Sequence, residues 1–159
     1  MQLETDRTVI RDFCKDDLYD LYEILSDAET MEYIESPFSI EKTRSFLSDF
    51  CIGQRCAVAA ELKSTGKVIG YLLFKPYGTP DVYEIGWIFN RKFWRQGLAY
   101  EACAALIKYA FLSMGIRKVF AETVDAVRSL GLMKKLGMKP DSDIESAVMY
   151  VYSITKNGQ

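Results

Sequence analysis

The segment from Val82 to Val124 limits the topology of this chain more than any other. "VYEIGWIF", residues 82–89, has the β-branched and aromatic content of a strand, and so does "KVFAETV", residues 118–124. Between them runs a long helical pattern. Ala99, Ala102, Cys103, Leu106 and Ala110 share one face of it, and Gly115 suits its C-terminal cap. A strand, a helix and a second strand in that order form a crossover. Such a unit lays its two strands parallel in one sheet, with a right-handed connection.

The other segments extend this frame. "TVIRDF" reads as a strand. "KDDLYDLYEILSD" reads as a helix with Leu18, Leu21, Tyr22 and Leu25 on one side and acids in its favourable first turn. Pro37 breaks the chain, and Ser39 can cap a second helix carrying Ile40, Thr43, Leu47 and Phe50. "RCAVAAEL" and "KVIGYLLF" read as strands joined by the turn "KSTG", and "PYGTPD" turns into the strand at 82–89. "RSLGLMKKLG" reads as a short helix ending at Gly137, and "SAVMYVYSI" as a last strand. The predicted order is β α α β β β α β α β. It specifies an α/β (α+β) class: a mixed sheet between layers of helices. The length of 159 residues, without repeat or linker, fits a single domain over 1–159. The polar tail "TKNGQ" is expected to fray.

Composition removes several functions. A net charge of −2 offers no basic field for a nucleic-acid backbone. No apolar run approaches the ~18 residues of a membrane span, and the N-terminus lacks a signal-peptide core. The chain has no histidine, and its four cysteines include no CxxC pair, so no metal site is expected. The cysteines read as buried small hydrophobes in a reducing, cytoplasmic setting.

The loop before the long helix carries the chemistry. In "FWRQGLAYEA", Gly97 stands where the helix begins. The first amides of a helix lack intrahelical partners and lie at the positive end of its dipole. A glycine there leaves room for an anion to approach, and Arg91, Lys92 and Arg95 add positive charge. A phosphate is the natural guest, although GxxxxGK[ST] and GxGxxG are both absent.

The run "EIGWIFNRKFWRQGLAYEA" resembles the signature of the GCN5-related N-acetyltransferases, and most closely the branch containing the ribosomal-protein N-terminal acetyltransferases. "SLGLMKKLGM" is similar to a second motif of that family, and the element order agrees over nearly the whole chain. The resemblance implies a mostly antiparallel mixed sheet with one splayed parallel pair, 82–89 and 118–124. It implies acetyl-coenzyme A as cosubstrate and an amine acceptor, either a protein N-terminus or a small molecule. Dimers are common in the family. The pyrophosphate would rest on the amides of Gln96, Gly97, Leu98, Ala99 and Tyr100, beside Arg95. The pantetheine would pair with the edge of Trp87 and Phe89, and the N–H of Trp87 or Ile88 would face the thioester carbonyl.

Three positions and one segment depart from the pattern: Trp94 stands where the wider family prefers Gln or Arg, as is common in this branch. Ala126 replaces a usual Asn, with Asp125 as a potential substitute. Met133 replaces a frequent Tyr that protonates the leaving thiolate. The segment after Gly137 is short for the usual hairpin. These changes keep open an alternative, a non-catalytic acyl-coenzyme A-binding or regulatory module.

The attacking amine must lose its proton. At pH 7 this costs roughly 4–5 kcal/mol for an alkyl amine and about 1.4 kcal/mol for an α-amine. Without histidine, the base is sought among carboxylates or tyrosines, or in a water relay: Glu84 on the cleft strand first, Glu122 on its partner second. Ser129 either orients a water or the thiolate, or caps its helix. The resemblance implies that the region of Tyr19, Tyr22, Tyr33, Phe38 and Phe46 roofs the acceptor pocket, where Glu29, Glu32 and Glu35 could form a negative rim.

Overall fold

The β-rich middle of the chain closes on one glycine. Gly78 adopts φ 71°, a left-handed conformation open to glycine at no steric cost, and joins two long antiparallel strands. These are Val68–Tyr77 and Thr79–Phe89, both longer than the sequence pattern indicates, because the turn is shorter than "PYGTPD". The computed structural model describes residues 1–157. In chain order the strands are β1 (Gln2–Glu4), β2 (Thr8–Asp12), β3 (Ala57–Leu62), β4 (Val68–Tyr77), β5 (Thr79–Phe89), β6 (Lys118–Thr123), β7 (Lys139–Pro140) and β8 (Tyr150–Thr155). The helices are α1 (Leu18–Leu25), α2 (Ile40–Phe46), α3 (Leu98–Leu112) and α4 (Arg128–Lys135).

All these strands form one sheet in the order β1-β2-β3-β4-β5-β6-β8-β7. Every neighbouring pair is antiparallel except β5 and β6, the pair joined through α3. The crossover read from the sequence is therefore present. Two apolar clusters cover the two faces. One joins α3 to the sheet through Leu98, Ala102, Cys103, Leu106, Phe74, Ile85 and Phe89. The other joins α1 and the α2 region through Leu21, Ile24, Leu25, Leu47, Ala57 and Tyr71. Pleating sends successive residues of β5 to opposite faces, so Ile85 and Phe89 meet α3 while Ile88 meets the α1–α2 layer.

Local signals hold at several ends. The Ser39 hydroxyl accepts from the Lys42 amide at 3.1 Å and caps α2. Gly115 and Gly137, with φ 69° and 86°, end α3 and α4. The differences lie in short or irregular pieces. The sequence reading lacks β1 and the two-residue β7, which are too brief to show alternation. It also lacks the π-helical continuation of α2 over Leu47–Gly53 and the 3-10 turn Arg91–Phe93. The last strand starts at Tyr150 rather than Ser146. A brief β7–β8 hairpin does form. In the tail, the Lys156 amide donates to the Arg117 carbonyl at 3.1 Å, so this residue is held; Gly158 and Gln159 lie outside the described residues. Cys51 and Cys103 are buried as expected, whereas Cys14 is exposed and Cys56 half-buried.

Candidate active site

β5 and β6 pair over three residues only. Val82, Tyr83 and Glu84 face Lys118, Val119 and Phe120. Beyond that point β5 continues to Phe89 beside β4, and β6 continues to Thr123 beside β8. The two strands diverge, and the gap between them opens a cleft of about 730 Å³, well within the size range of small-ligand sites.

The open edge of β5 carries unused main-chain groups. In an antiparallel ladder, alternate residues bond to the neighbour and the others point away. The Asn90 amide donates to the Ile69 carbonyl at 2.8 Å, which sets the phase of the β4–β5 ladder. Residues 84, 86 and 88 therefore bond to β4, and 85, 87 and 89 point toward the fork. The Arg117 amide donates to the Asp81 carbonyl at 2.8 Å, in agreement with that phase. Trp87 thus presents both its N–H and its C=O to the cleft. Phe89 presents its N–H, while its carbonyl accepts from the Trp94 indole at 2.8 Å. Ile88 differs: its side chain lines the cleft, but its N–H is turned to Tyr71 on β4, so Trp87 is the one of the two whose N–H can reach a carbonyl there.

At the head of α3, Gly97 has φ 76° and Arg95 has φ 62°. Leu98, Ala99 and Tyr100 form the first helical turn, and the first main-chain bond into the helix runs from the Glu101 amide to the Gly97 carbonyl at 3.0 Å. Among the described residues, the amides of Gln96 through Tyr100 have no protein acceptor. Arg95, Gly97, Leu98, Ala99 and Tyr100 line the cleft; the Gln96 side chain does not. A Cβ built on Gly97 would come only within 3.5 Å of the Arg7 guanidinium, an ordinary contact. The requirement for glycine here is thus mainly the positive φ, with clearance secondary.

The charge beside this loop is arranged differently from the sequence reading. Arg91 is held by Asp27 at 3.0 Å and by Glu29 at 3.3 Å, and Lys92 lies 3.3 Å from Glu23. The Arg91 guanidinium holds the Asp27 carboxyl down to about 2. The cation that braces the loop is Arg7. It donates from Nη1 to the Gln96 carbonyl at 2.9 Å and from Nε to Glu101 at 2.9 Å. Thr5 and the Arg7 amide hold the same Glu101 carboxylate. No local signal around residue 7 announces this, because the contact spans about ninety residues.

Glu84 sits at the apex, the last paired residue of β5. Its side chain is 14% exposed, 3.7 Å from the Lys75 ammonium, and lies behind the cleft lining rather than in it. Burial raises its pKa, Lys75 opposes the rise, and Glu122 adds to it. Tyr83 packs on the opposite face against Phe74. Glu122 lines the cleft and accepts from the Ser146 hydroxyl.

Ser129 also lines the cleft, in the first turn of α4. It does not cap that helix. Asp125 does, accepting from the amides of Val127 and Arg128 at 3.0 Å and from the Arg128 guanidinium at 3.2 Å. Asp125 lines the cleft as well, with its carboxylate engaged at the head of α4. Met133 is fully buried in the core under α4 and is absent from the cleft.

On the far side, Tyr33, Phe38 and Phe46 line the cleft as expected; Tyr19 is 71% exposed and neither Tyr19 nor Tyr22 reaches it. Of the three acids, only Glu35 lines the cleft, and Lys42 binds it at 2.6 Å. Tyr71 and Leu73 from β4, with Met31 and Ile34 from the α1–α2 link, complete the wall. They were not evident in the sequence because only the fold brings β4 under that link.

The family's sequence model, the Acetyltransferase (GNAT) domain, matches residues 7–139. The chain belongs to the GNAT acetyltransferase family. An uncharacterized N-acetyltransferase of Bacillus subtilis, YnaD, is 30% identical over 150 residues, covering 93% of this chain and 88% of its own. The crystal structure of a GNAT-family acetyltransferase from Bacillus anthracis superposes with a TM-score of 0.89 at 29% identity, over 98% of this chain and 99% of that one. An aminoglycoside acetyltransferase solved with coenzyme A has a TM-score of 0.77 at 16% identity, over 95% and 96% of the two chains, a likeness of fold. By family this GNAT protein is an acetyltransferase. The splayed strand pair and the mixed sheet between two helical layers agree with that membership.

Proposed function

We propose that this GNAT domain transfers the acetyl group of acetyl-coenzyme A to a primary amine, by direct attack within a ternary complex. The single observation that carries the reading is the divergence of β5 and β6 after Glu84 and Phe120, beside the unpartnered amides of residues 96–100. A diphosphate fits those amides and the positive end of α3, each charge-assisted hydrogen bond contributing roughly 1.5–3 kcal/mol. The Trp87 N–H and C=O and the Phe89 N–H suit an amide-bearing chain laid along β5 as an added strand. Acetyl-coenzyme A supplies an activated thioester carbonyl.

The protein's own groups then have distinct tasks. The Trp87 N–H is aimed into the fork, where an oxyanion would develop. Glu122 draws the ammonium form of the acceptor to the fork. Glu84, made more basic by burial, takes the amine proton through a bridging water. Ser129 donates to the departing sulfur from the first turn of α4. The motif around Gly97 resembles that of the N-terminal acetyltransferase branch of the family; an α-amine loses its proton the more easily, while an alkyl amine needs the base that burial makes of Glu84.

The test is release of free thiol from acetyl-coenzyme A with a panel of amines and peptides, alongside a thermal shift with coenzyme A. A ligand at 100 times its dissociation constant stabilises by about 2.7 kcal/mol. Stabilisation without thiol release above hydrolysis would leave a coenzyme A-binding module, and no stabilisation would remove the cleft assignment altogether.

A further inference from the structure

We infer that the acceptor half of the cleft takes a primary amine joined to an aromatic ring by a short alkyl chain, and rejects polycations. The inference rests on the acetyl-transfer reading of the same cleft.

The wall beyond the fork is made of Met31, Phe38, Phe46, Tyr71, Leu73 and Ile88. Phe46 is its centre, with ring centroids 5.5 Å from Phe38, edge-on, and 5.6 Å from Tyr71. Such a wall offers a flat apolar guest both burial and ring contacts. It offers a second ammonium no free carboxylate. Glu35, the carboxylate on this side, is already bound by Lys42, whose ammonium lies 4.3 Å over the Phe38 ring. At the mouth the Arg128 guanidinium lies 4.2 Å from the Trp94 ring and 5.9 Å from that of Tyr33. A chain bearing further positive charges would have to pass this cation. The acids left for an amine are Glu84 and Glu122, and both are at the fork, where one reacting nitrogen belongs.

One polar group faces the apolar wall. Tyr71 is 6% exposed, and its hydroxyl has no partner among the described residues. No buried side-chain oxygen is left unsatisfied among the described residues, so this hydroxyl retains some access to solvent, on a residue that lines the cleft. It gives a guest one hydrogen-bond contact without adding charge.

The experiment compares thiol release at saturating acetyl-coenzyme A for 2-phenylethylamine, ethanolamine and spermidine. The expected kcat/KM for 2-phenylethylamine exceeds the other two by about tenfold or more. Equal values, or a preference for spermidine, overturn the inference. Ile34 is 50% exposed at the rim, so Ile34→Glu leaves the core undisturbed. This variant should narrow the ratio of phenylethylamine to spermidine by about tenfold, and an unchanged ratio would count against the wall as selector. A binding arm separates the two readings. Trp87 and Trp94, the chain's two tryptophans, both line the cleft. With coenzyme A present, 2-phenylethylamine should change their fluorescence at lower concentration than spermidine. If no amine releases thiol, acetyl transfer falls, and this titration alone decides what the wall binds.

Discussion

The two sides of the fork are built from different material. The side under α3 consists of main chain: the amides of residues 96–100 and the free edge of Trp87 and Phe89. The side under α1 and α2 consists of side chains, above all Phe38, Phe46, Tyr71 and Leu73. Main-chain donors are the same whatever residues supply them, so that wall can hold one invariant ligand across much sequence change. A wall of side chains is altered by any substitution in it, and so can be retuned to another guest. The molecule separates what must stay constant from what can vary, and joins them at Glu84.

Variants on each side should therefore fail in different ways. The largest effect is expected at the junction. Glu84→Gln should lower kcat about 10²-fold, the lower end for loss of a general base, while the thermal shift with coenzyme A is retained. Its pH dependence has a definite sign. Burial lifts the Glu84 pKa, so the native state disfavours its charge; the associated stability is complete below the ordinary carboxylate range and is lost as pH rises through the lifted value. Glu84→Gln should remove that loss, so the Tm difference between variant and parent should grow in the variant's favour on going from pH 4 to 8.

Next comes the main-chain side. Gly97→Val forces a β-branched residue to φ 76° and should weaken coenzyme A binding at least about thirtyfold, equivalent to ~2 kcal/mol. Gly97→Asn sharpens the point, since Asn tolerates this conformation. If it binds coenzyme A nearly normally, backbone conformation is what matters at 97; if it fails like Val, clearance for the ligand matters too.

On the side-chain wall, Phe46→Leu should raise the acceptor KM about three- to tenfold and leave coenzyme A binding unchanged, as a calorimetric titration would show. The smallest effect belongs to the tie between the walls. Asp27→Asn removes the bond to Arg91 and should cost about 0.5–1 kcal/mol, or roughly 2–3 °C in Tm, at pH 7. The Asp27 pKa is lowered, so its contribution is present above the ordinary carboxylate value and disappears as pH falls through about 2. Melting curves of parent and variant should converge in strong acid.

The same division of material explains what could be read from residues alone. The Gly97 turn, α3 and its flanking strands form one continuous stretch, and their pattern declares a helix head opening beside a parallel pair. The Ser39 cap is equally local. The acceptor wall was legible only in part. Tyr33, Phe38 and Phe46 follow from the family resemblance, which puts the early helices over the pocket, but Tyr71 and Leu73 come from a strand whose run "VIGYLLF" reads as plain core. Cations near the loop were visible as residues and not as partners: Arg91 and Lys92 are occupied by Asp27, Glu29 and Glu23, and the brace comes from Arg7. Asp125, rather than Ser129, caps α4 because its side chain precedes the first turn and can fold back over the exposed amides.

Arg7 has a further consequence for the head of α3. It is made early and clamps groups made about ninety residues later, the Gln96 carbonyl and Glu101. The sheet from β3 to β6 makes no use of this side chain, whereas the head of α3 is tied by it to the β1–β2 hairpin. Removing the leading residues would take away both of these bonds, and should loosen the turn at Gly97 while leaving the strand ladder from β3 to β6 in place.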